Sequence, residues 1–361
     1  MEKIGKISTG QMFCVLFLSR IISLFTFMLP SASYLPAGDR IITAIPVMLF
    51  EFLYAGIVIF TLKKNEAQSI LETAKNISPN LSKILAVFYI LAFIWFAGIG
   101  TARFELFIST VMFPNSELTL MIVILLVAAL YASLKGIEAI GRASVILITI
   151  LGTSVIFILL TVTGEFEYSN LKPLFTEGLS PVTGFAFYVS VRAAEIMTLH
   201  VSTPVINGNV KKMIFSWISV FAAVCSVILL CLSGVTGEYG DDQIFPLYTL
   251  TVIAKFGIFE RLDDILTGLW VLCSFIQVAF LLYLCLLSLR QSFGKIKKIP
   301  SAIICTLGVF IVYIITSDTV TVFSETVSSK FVDIMFIVLI AAVPLSVTIL
   351  NIHKRNRRRK T

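Results

Sequence analysis

The stretch QMFCVLFLSRIISLFTFML, residues 11–29, decides the fold. All but Gln11, Ser19, Arg20, Ser23 and Thr26 are apolar. Its length matches the roughly 20 residues that cross a hydrocarbon core about 30 Å thick. Arg20 stands in the middle. A mid-bilayer charge costs about 2.5–3.5 kcal/mol on insertion scales, so it must face a bundle interior or water and find a partner. A second segment, 184–202, repeats the oddity with Arg192 and Glu195. Each charged segment runs on to a proline, Pro30 after Arg20 and Pro204 after Arg192.

Working outward, the rest of the chain has the same character. Of its 361 residues 58% are apolar and 14% charged, and mean hydropathy is +0.98. A soluble domain has about 25% charged residues, so a soluble enzyme is excluded. Ten apolar blocks qualify as spans: 11–29, 41–62, 81–113, 118–134, 143–163, 184–202, 214–235, 265–289, 302–316 and 332–351. The third is over-long and should tilt or project beyond the bilayer. The fourth and ninth are short.

Charge orients the spans. With the N-terminus inside, inner segments hold 20 of the 28 Lys and Arg residues, and outer loops hold only Arg40, Lys172, Lys255, Arg261 and Lys330. That asymmetry obeys the positive-inside rule and places both termini in the cytoplasm. The net charge of +7 thus points to a lipid surface and not to nucleic acid. Arg20 interrupts what would be the apolar core of a signal peptide, so cleavage near Ser31-Ala32-Ser33 is not expected. The glycosylation-like triplets at Asn76 and Asn80 fall on the inner side and are read as chance.

Ten spans divide into five and five, and an odd number inverts the second half. The expected fold is an all-α polytopic membrane protein with an inverted repeat, 11–163 and 184–351, and a basic tail at 352–361. Insertions follow the second span of each half. Residues 65–76 read as a short amphipathic inner helix, and 244–257 as an apolar outer segment.

Three basic residues, Arg20, Arg103 and Arg192, and three acidic ones, Glu51, Glu105 and Glu195, lie inside spans. Arg20, Glu51, Arg192 and Glu195 fall near mid-span and can share a depth. Arg192 and Glu195, spaced i, i+3, should share a helix face. Arg103 and Glu105 are two apart, so they should point to different sides. Ser19, Ser23 and Thr198 add hydroxyls beside the charges. Trp270 and Gln277, seven apart, should share a face of span 8. Such groups suit the carboxylate and ammonium of an amino acid, and they equally suit one another.

Other chemistry is absent from the sequence. Cys14, Cys225, Cys231, Cys273, Cys285 and Cys305 all lie in apolar blocks with no C-x-x-C, the pattern of reduced, buried thiols. The two histidines, His200 and His353, cannot assemble a His-based metal site. G-x-S-x-G, H-E-x-x-H and the phosphate-binding loop are missing. No cofactor and no enzymatic activity are expected.

The run Glu260-Arg261-Leu262-Asp263-Asp264-Ile265-Leu266-Thr267-Gly268-Leu269-Trp270-Val271 resembles a signature of GerAB-type spore germinant receptor B subunits. Leu171-Lys172-Pro173-Leu174-Phe175 and the opening Lys6-Ile7-Ser8-Thr9-Gly10-Gln11-Met12-Phe13 agree with it. The resemblance implies the amino acid–polyamine–organocation fold, with broken helices in spans 1 and 6. It implies a subunit of the spore inner membrane beside an A subunit and a lipoprotein C subunit, receiving a small nutrient germinant, with ion gating as the implied consequence. The ligand would sit between spans 1, 3, 6 and 8. Arg20 and Arg192 would hold anionic groups; Glu51 and Glu195 would hold an ammonium or balance the arginines. An amino-acid transporter of the same superfamily is the alternative. Residues 11–37 contain no glycine, and neither do residues 185–207, so any unwinding there must have another cause.

Overall fold

The computed structural model describes residues 5–25, 35, 37–113, 117–172, 178–237, 239, 243, 245–254 and 263–358. The helices are α1 (Thr9–Phe25), α2 (Ala37–Lys64), α3 (Ile70–Ile77), α4 (Pro79–Val111), α5 (Thr119–Lys135), α6 (Ile137–Thr161), α7 (Leu179–Val191) and α8 (Ala194–Ser202). They continue as α9 (Val210–Thr236), α10 (Pro246–Ile253), α11 (Asp263–Phe293), α12 (Lys298–Thr316), α13 (Val320–Val327), α14 (Lys330–Ile337) and α15 (Val343–Arg358). Among the described residues, eight helical segments are long and apolar enough to cross a membrane. Thr9–Ile22 and Thr119–Lys135 are apolar but shorter. The chain is a multi-pass membrane protein. The over-long third block is α4, 33 residues, or about 50 Å at 1.5 Å per residue.

Burial sorts the helices. Along α11 every residue from Ile276 to Leu287 is buried. A helix apolar all round belongs in the centre of a bundle, and α11 packs on α1, α4, α5 and α6. By contrast α12 exposes Ile304, Leu307, Ile311 and Ile315. This stripe at helical spacing, larger than a water-soluble surface tolerates, is the face for lipid tails. Gly98 lets α4 approach α12 closely, since a Cβ there would collide with Val312. Small residues at helix contacts give this close approach in membranes.

At the end of the bundle rich in Lys and Arg, polar side chains tie the helices together. Ile7–Ser8 (β1), just before α1, pairs in parallel with Ile206–Asn207 (β2), which follows α8. The amphipathic segment foreseen at 65–76 is α3. Its N-cap Ser69 exchanges bonds with Glu72, both 3.1 Å, which fixes where the helix starts. The Ser69 hydroxyl also donates to Gln291 Oε1 on α11 (2.9 Å), and Gln291 Nε2 donates to the carbonyl of Val201 on α8 (3.1 Å). Residues 352–358 of the basic tail continue α15, which runs on to Arg358. Lys354 donates to the carbonyls of Asn76 and Ile77 at the C-terminal end of α3 (2.8 and 2.9 Å), and Arg355 pairs with Glu66 at 2.6 Å.

Between α14 and α15 the helix widens into a π turn, Val338–Ala342. Pro344 explains part of it, because proline brings no N–H and crowds the carbonyl four residues back, that of Ile340. The N–H of Val343 reaches to Val338, bypassing Leu339. Both freed carbonyls are recovered by side chains. The Tyr89 hydroxyl donates to Leu339 at 2.9 Å, and His200 Nε2 donates to Ile340 at 3.0 Å.

Candidate functional site

The sixth span is broken. α7 ends at Val191, Arg192 and Ala193 leave helical geometry, and α8 begins at Ala194. No glycine is needed, because charged side chains serve the two new helix ends. Arg192 Nη1 donates back to the Tyr188 carbonyl at 3.1 Å, and Nε donates to the carbonyl of Val327 at the end of α13 (3.2 Å). Its guanidinium also stacks 3.4 Å from the Tyr188 ring centroid and pairs with Asp333 at 2.8 Å. A cation suits a helix C-terminus and an anion suits an N-terminus. Glu195 occupies the first turn of α8.

This break corrects the expectation that Arg192 and Glu195 share a helix face. They belong to different half-helices with different partners. Arg192 binds the α13–α14 region, whereas Glu195 turns to α1.

There it meets Arg20. The guanidinium of Arg20 pairs with Glu51 of α2 and, at 3.4 Å, with Glu195 of α8. Ser19 Oγ donates to Glu195 at 3.3 Å, and Thr198 Oγ1 donates to the Glu195 carbonyl at 2.6 Å. All three charged residues are at most 5% exposed. The aromatic rings of Phe221 and Trp217 on α9 lie 5.0 and 5.9 Å from the Arg20 carbon, close enough for cation–π attraction. The triad thus joins three helices, α1, α2 and α8, and the α9 rings add a fourth. α1 itself runs unbroken through Arg20 to Phe25. Its interior is rich in Leu, Ile and Phe, without a glycine or proline to interrupt it. Residues 26–34, with Thr26 and Pro30, and the side chain of Ser23 lie outside the described residues.

α4 and α11 pack antiparallel beside the triad. Trp270 stacks on Phe107 with centroids 4.2 Å apart, and Phe245 meets the indole edge-on at 6.2 Å. Trp270 is a packing residue at the far end of this seam. One register step deeper, Gln277 Oε1 faces Gly100, where a Cβ would come within 2.5 Å. Gln277 Nε2 donates to the Ser19 carbonyl at 3.0 Å, so α11 is tied to α1 next to Arg20. The two pairings, 270 with 107 and 277 with 100, place Ser274 level with Arg103.

Arg103 and Glu105 diverge as their spacing foretold. The Arg103 guanidinium lies 5.9 Å from the Phe323 ring. Glu105 meets the Tyr313 hydroxyl of α12. Neither joins the triad directly. Sequence reasoning missed Tyr188, Trp217, Phe221 and Phe323, which are aromatic partners with no periodic signature of their own. It also missed His200 and Tyr89, whose partners are carbonyls freed near Pro344; a proline inside an apolar block was the available signal. Residues 255–262, which hold Glu260, Arg261 and Leu262 of the signature run, lie outside the described residues. Among those described, no group of three or more His, Cys, Asp or Glu could hold a metal ion.

Comparison with known proteins fits this architecture. A profile of the family described as spore germination protein matches residues 6–322. Spore germination protein KB of Bacillus subtilis (strain 168) is 25% identical over 300 residues, 79% of each chain. Putative spore germination protein YfkT of the same organism is 24% identical over 255 residues, 69% of each. Among solved structures, Mhp1, a nucleobase-cation-symport-1 family transporter in a closed conformation with bromovinylhydantoin bound, matches with a TM-score of 0.62. That match has 12% identity and covers 90% of this chain and 75% of the other. At such identity the likeness concerns fold alone.

Proposed function

Because the chain belongs to the spore germination protein family, we propose that it is the nutrient-receiving membrane subunit of a germinant receptor. It takes a small polar germinant such as an amino acid near the middle of the bilayer. One observation carries the reading: the Arg20–Glu51–Glu195 triad is buried where the sixth span breaks. Intramembrane ionisable groups are costly and mark ligand or ion paths. A half-helix ending in a charged cluster is an element whose position a ligand can bias. Binding that favours one arrangement of α8 against α1 passes that bias to the rest of the bundle, and from there to ion release.

The expected setting is the spore inner membrane, both termini cytoplasmic, with an A subunit and a lipoprotein C subunit as partners. The resemblance of the signature run supports the partners, and the distribution of Lys and Arg supports the orientation. A second reading, an amino-acid transporter, draws on the likeness to a transporter fold.

Affinity purification from spores carrying the tagged full chain tests the proposal. Recovery of A and C subunits supports the receptor. The purified chain in liposomes supplies the other arm. Accumulation of amino acid by this chain alone, with no A or C subunit recovered from spores, would replace the receptor with the transporter.

A further inference from the structure

Several basic side chains at the Lys- and Arg-rich end of the bundle hold other helices. Lys75 and Lys298 donate to the carbonyls of Gln291 and Leu134, Lys354 donates to α3, and Arg355 pairs with Glu66. Lys211 and Lys212, in the first turn of α9, do none of this. Both are exposed, and among the described residues neither has a carboxylate partner. Their backbone is nonetheless fixed. β2 pairs with β1 just before them, and Asn209 caps α9 by accepting from the Lys212 N–H at 3.0 Å.

A groove of about 420 Å³ runs down this face of α9, lined by Asn209, Lys211, Lys212, Phe215, Ser216 and Ser219. Residues 211, 212, 215, 216, 219 and 220 are exposed, whereas 213, 214, 217 and 218 are buried, so one helix face carries the whole set. Trp217 and Phe221, which back Arg20, lie on the opposite face. The groove is therefore separate from the charged triad. The ring of Phe215 rests 5.2 Å from that of Phe52 on α2. Past Ser219 the face becomes apolar, with Val220 and Val227 at 42% and 50% exposure.

The two serines are out of keeping with a plain lipid-facing surface. Thr149, Thr153 and Ser346, also exposed, turn their hydroxyls back to helix carbonyls. Ser216 and Ser219 are exposed and make no hydrogen bond among the described residues. A hydroxyl facing hydrocarbon without a partner is unfavourable. At 1.5 Å per residue, Ser216 lies about 6 Å and Ser219 about 10 Å along the helix from Lys212. The polar layer of each leaflet is about 5–8 Å deep. Lysines at the level of the headgroups thus place the serines at the level of the glycerol esters and the first methylenes.

We propose that this groove is a binding site for an anionic glycerophospholipid. Lys211 and Lys212 hold the phosphate, Ser216 and Ser219 donate to the ester carbonyls, and an acyl chain lies along Phe215 and Val220. Two adjacent lysines with no acid beside them select net negative charge, because the ammonium of a zwitterionic headgroup would be repelled by the second lysine. The apolar continuation of the face favours a lipid over free phosphate. The site goes beyond the germinant reading and does not depend on it.

The test titrates the purified full chain in detergent with phosphatidylglycerol or with phosphatidylcholine of the same acyl chains, and counts bound lipid by native mass spectrometry. Wild type should prefer phosphatidylglycerol by about 25-fold, roughly fivefold per lysine. Lys211→Gln with Lys212→Gln should bring the preference close to one, and Lys211→Arg with Lys212→Arg should keep it. Lys63→Gln with Lys64→Gln removes the same charge from the end of α2 and should leave the preference intact. Ser216→Ala with Ser219→Ala should weaken both lipids alike, since both carry the esters; unchanged affinities would strike the hydroxyls from the site. No preference in wild type, or equal loss in the two double-glutamine variants, would overturn the proposal. Displacement of the lipid by inorganic phosphate at matched ionic strength would overturn it too, in favour of a site for soluble phosphate.

Discussion

His200 and Pro344 act on one backbone atom. Pro344 deprives the Ile340 carbonyl of its helical donor, and His200 Nε2, 3.0 Å away, supplies another. Tyr89 does the same for Leu339 at 2.9 Å. The widened turn in the last span is therefore held by side chains from α4 and α8, and α8 is the half-helix that also carries Glu195. π turns recur at functional sites. This one couples the last span to the element at the charged triad.

His200→Ala should destabilise the protein by about 1–3 kcal/mol, the cost of leaving a buried carbonyl unsatisfied. In a Pro344→Ala background the restored N–H can take that carbonyl, so the loss should shrink. A double-mutant cycle on unfolding in nanodiscs measures the coupling. Strict additivity would show that the two residues act independently.

Gly100→Ala should push Gln277 off the Ser19 carbonyl, because the new methyl would sit 2.5 Å from Gln277 Oε1. Overpacking of this kind costs about 1–3 kcal/mol. Adding Gln277→Ala removes the clash, and the melting temperature of the double variant should exceed that of Gly100→Ala alone. A lower value in the double variant would contradict this packing.

Much of this architecture was legible beforehand. Unbroken apolar runs mark spans because lipid cannot satisfy loose backbone polar groups. Arg20, Glu51 and Glu195 were legible as a set because each costs too much alone in mid-span. Arg192 was misread for a physical reason. Spacing of i, i+3 implies a shared face only if the helix continues, and here the arginine caps one helix while the glutamate opens the next. Arg103 gave no sign that it would lack a carboxylate partner among the described residues, since that depends on where α13 places Phe323.

Asp333→Asn should loosen the hold of Arg192 on α13 and α14 selectively. Arg192 keeps its bonds to the Tyr188 and Val327 carbonyls but loses its ion pair. Hydrogen exchange should quicken in Val320–Val327 and Lys330–Ile337 and stay unchanged in Val343–Arg358. A uniform change along all three helices would show global destabilisation and no local latch.

Arg20→Ala should sharply reduce protein in the membrane fraction. It strands two buried glutamates without a cation, and breaking such a pair costs about 3–5 kcal/mol. Neutralising the acids as well, with Glu51→Gln and Glu195→Gln, should restore abundance without restoring the response to nutrient. Full response in that triple variant would show that the triad serves folding alone.

The most direct measurement is the germination dose–response of spores carrying Glu195→Gln, compared at equal protein level with wild type. Glutamine can still accept from Ser19 and Arg20, so insertion should survive. The negative charge that balances Arg20 is lost. The half-maximal nutrient dose should be at least about tenfold higher, as expected for losing a charge-assisted contact. A wild-type curve at wild-type abundance would contradict it and remove Glu195 from the site.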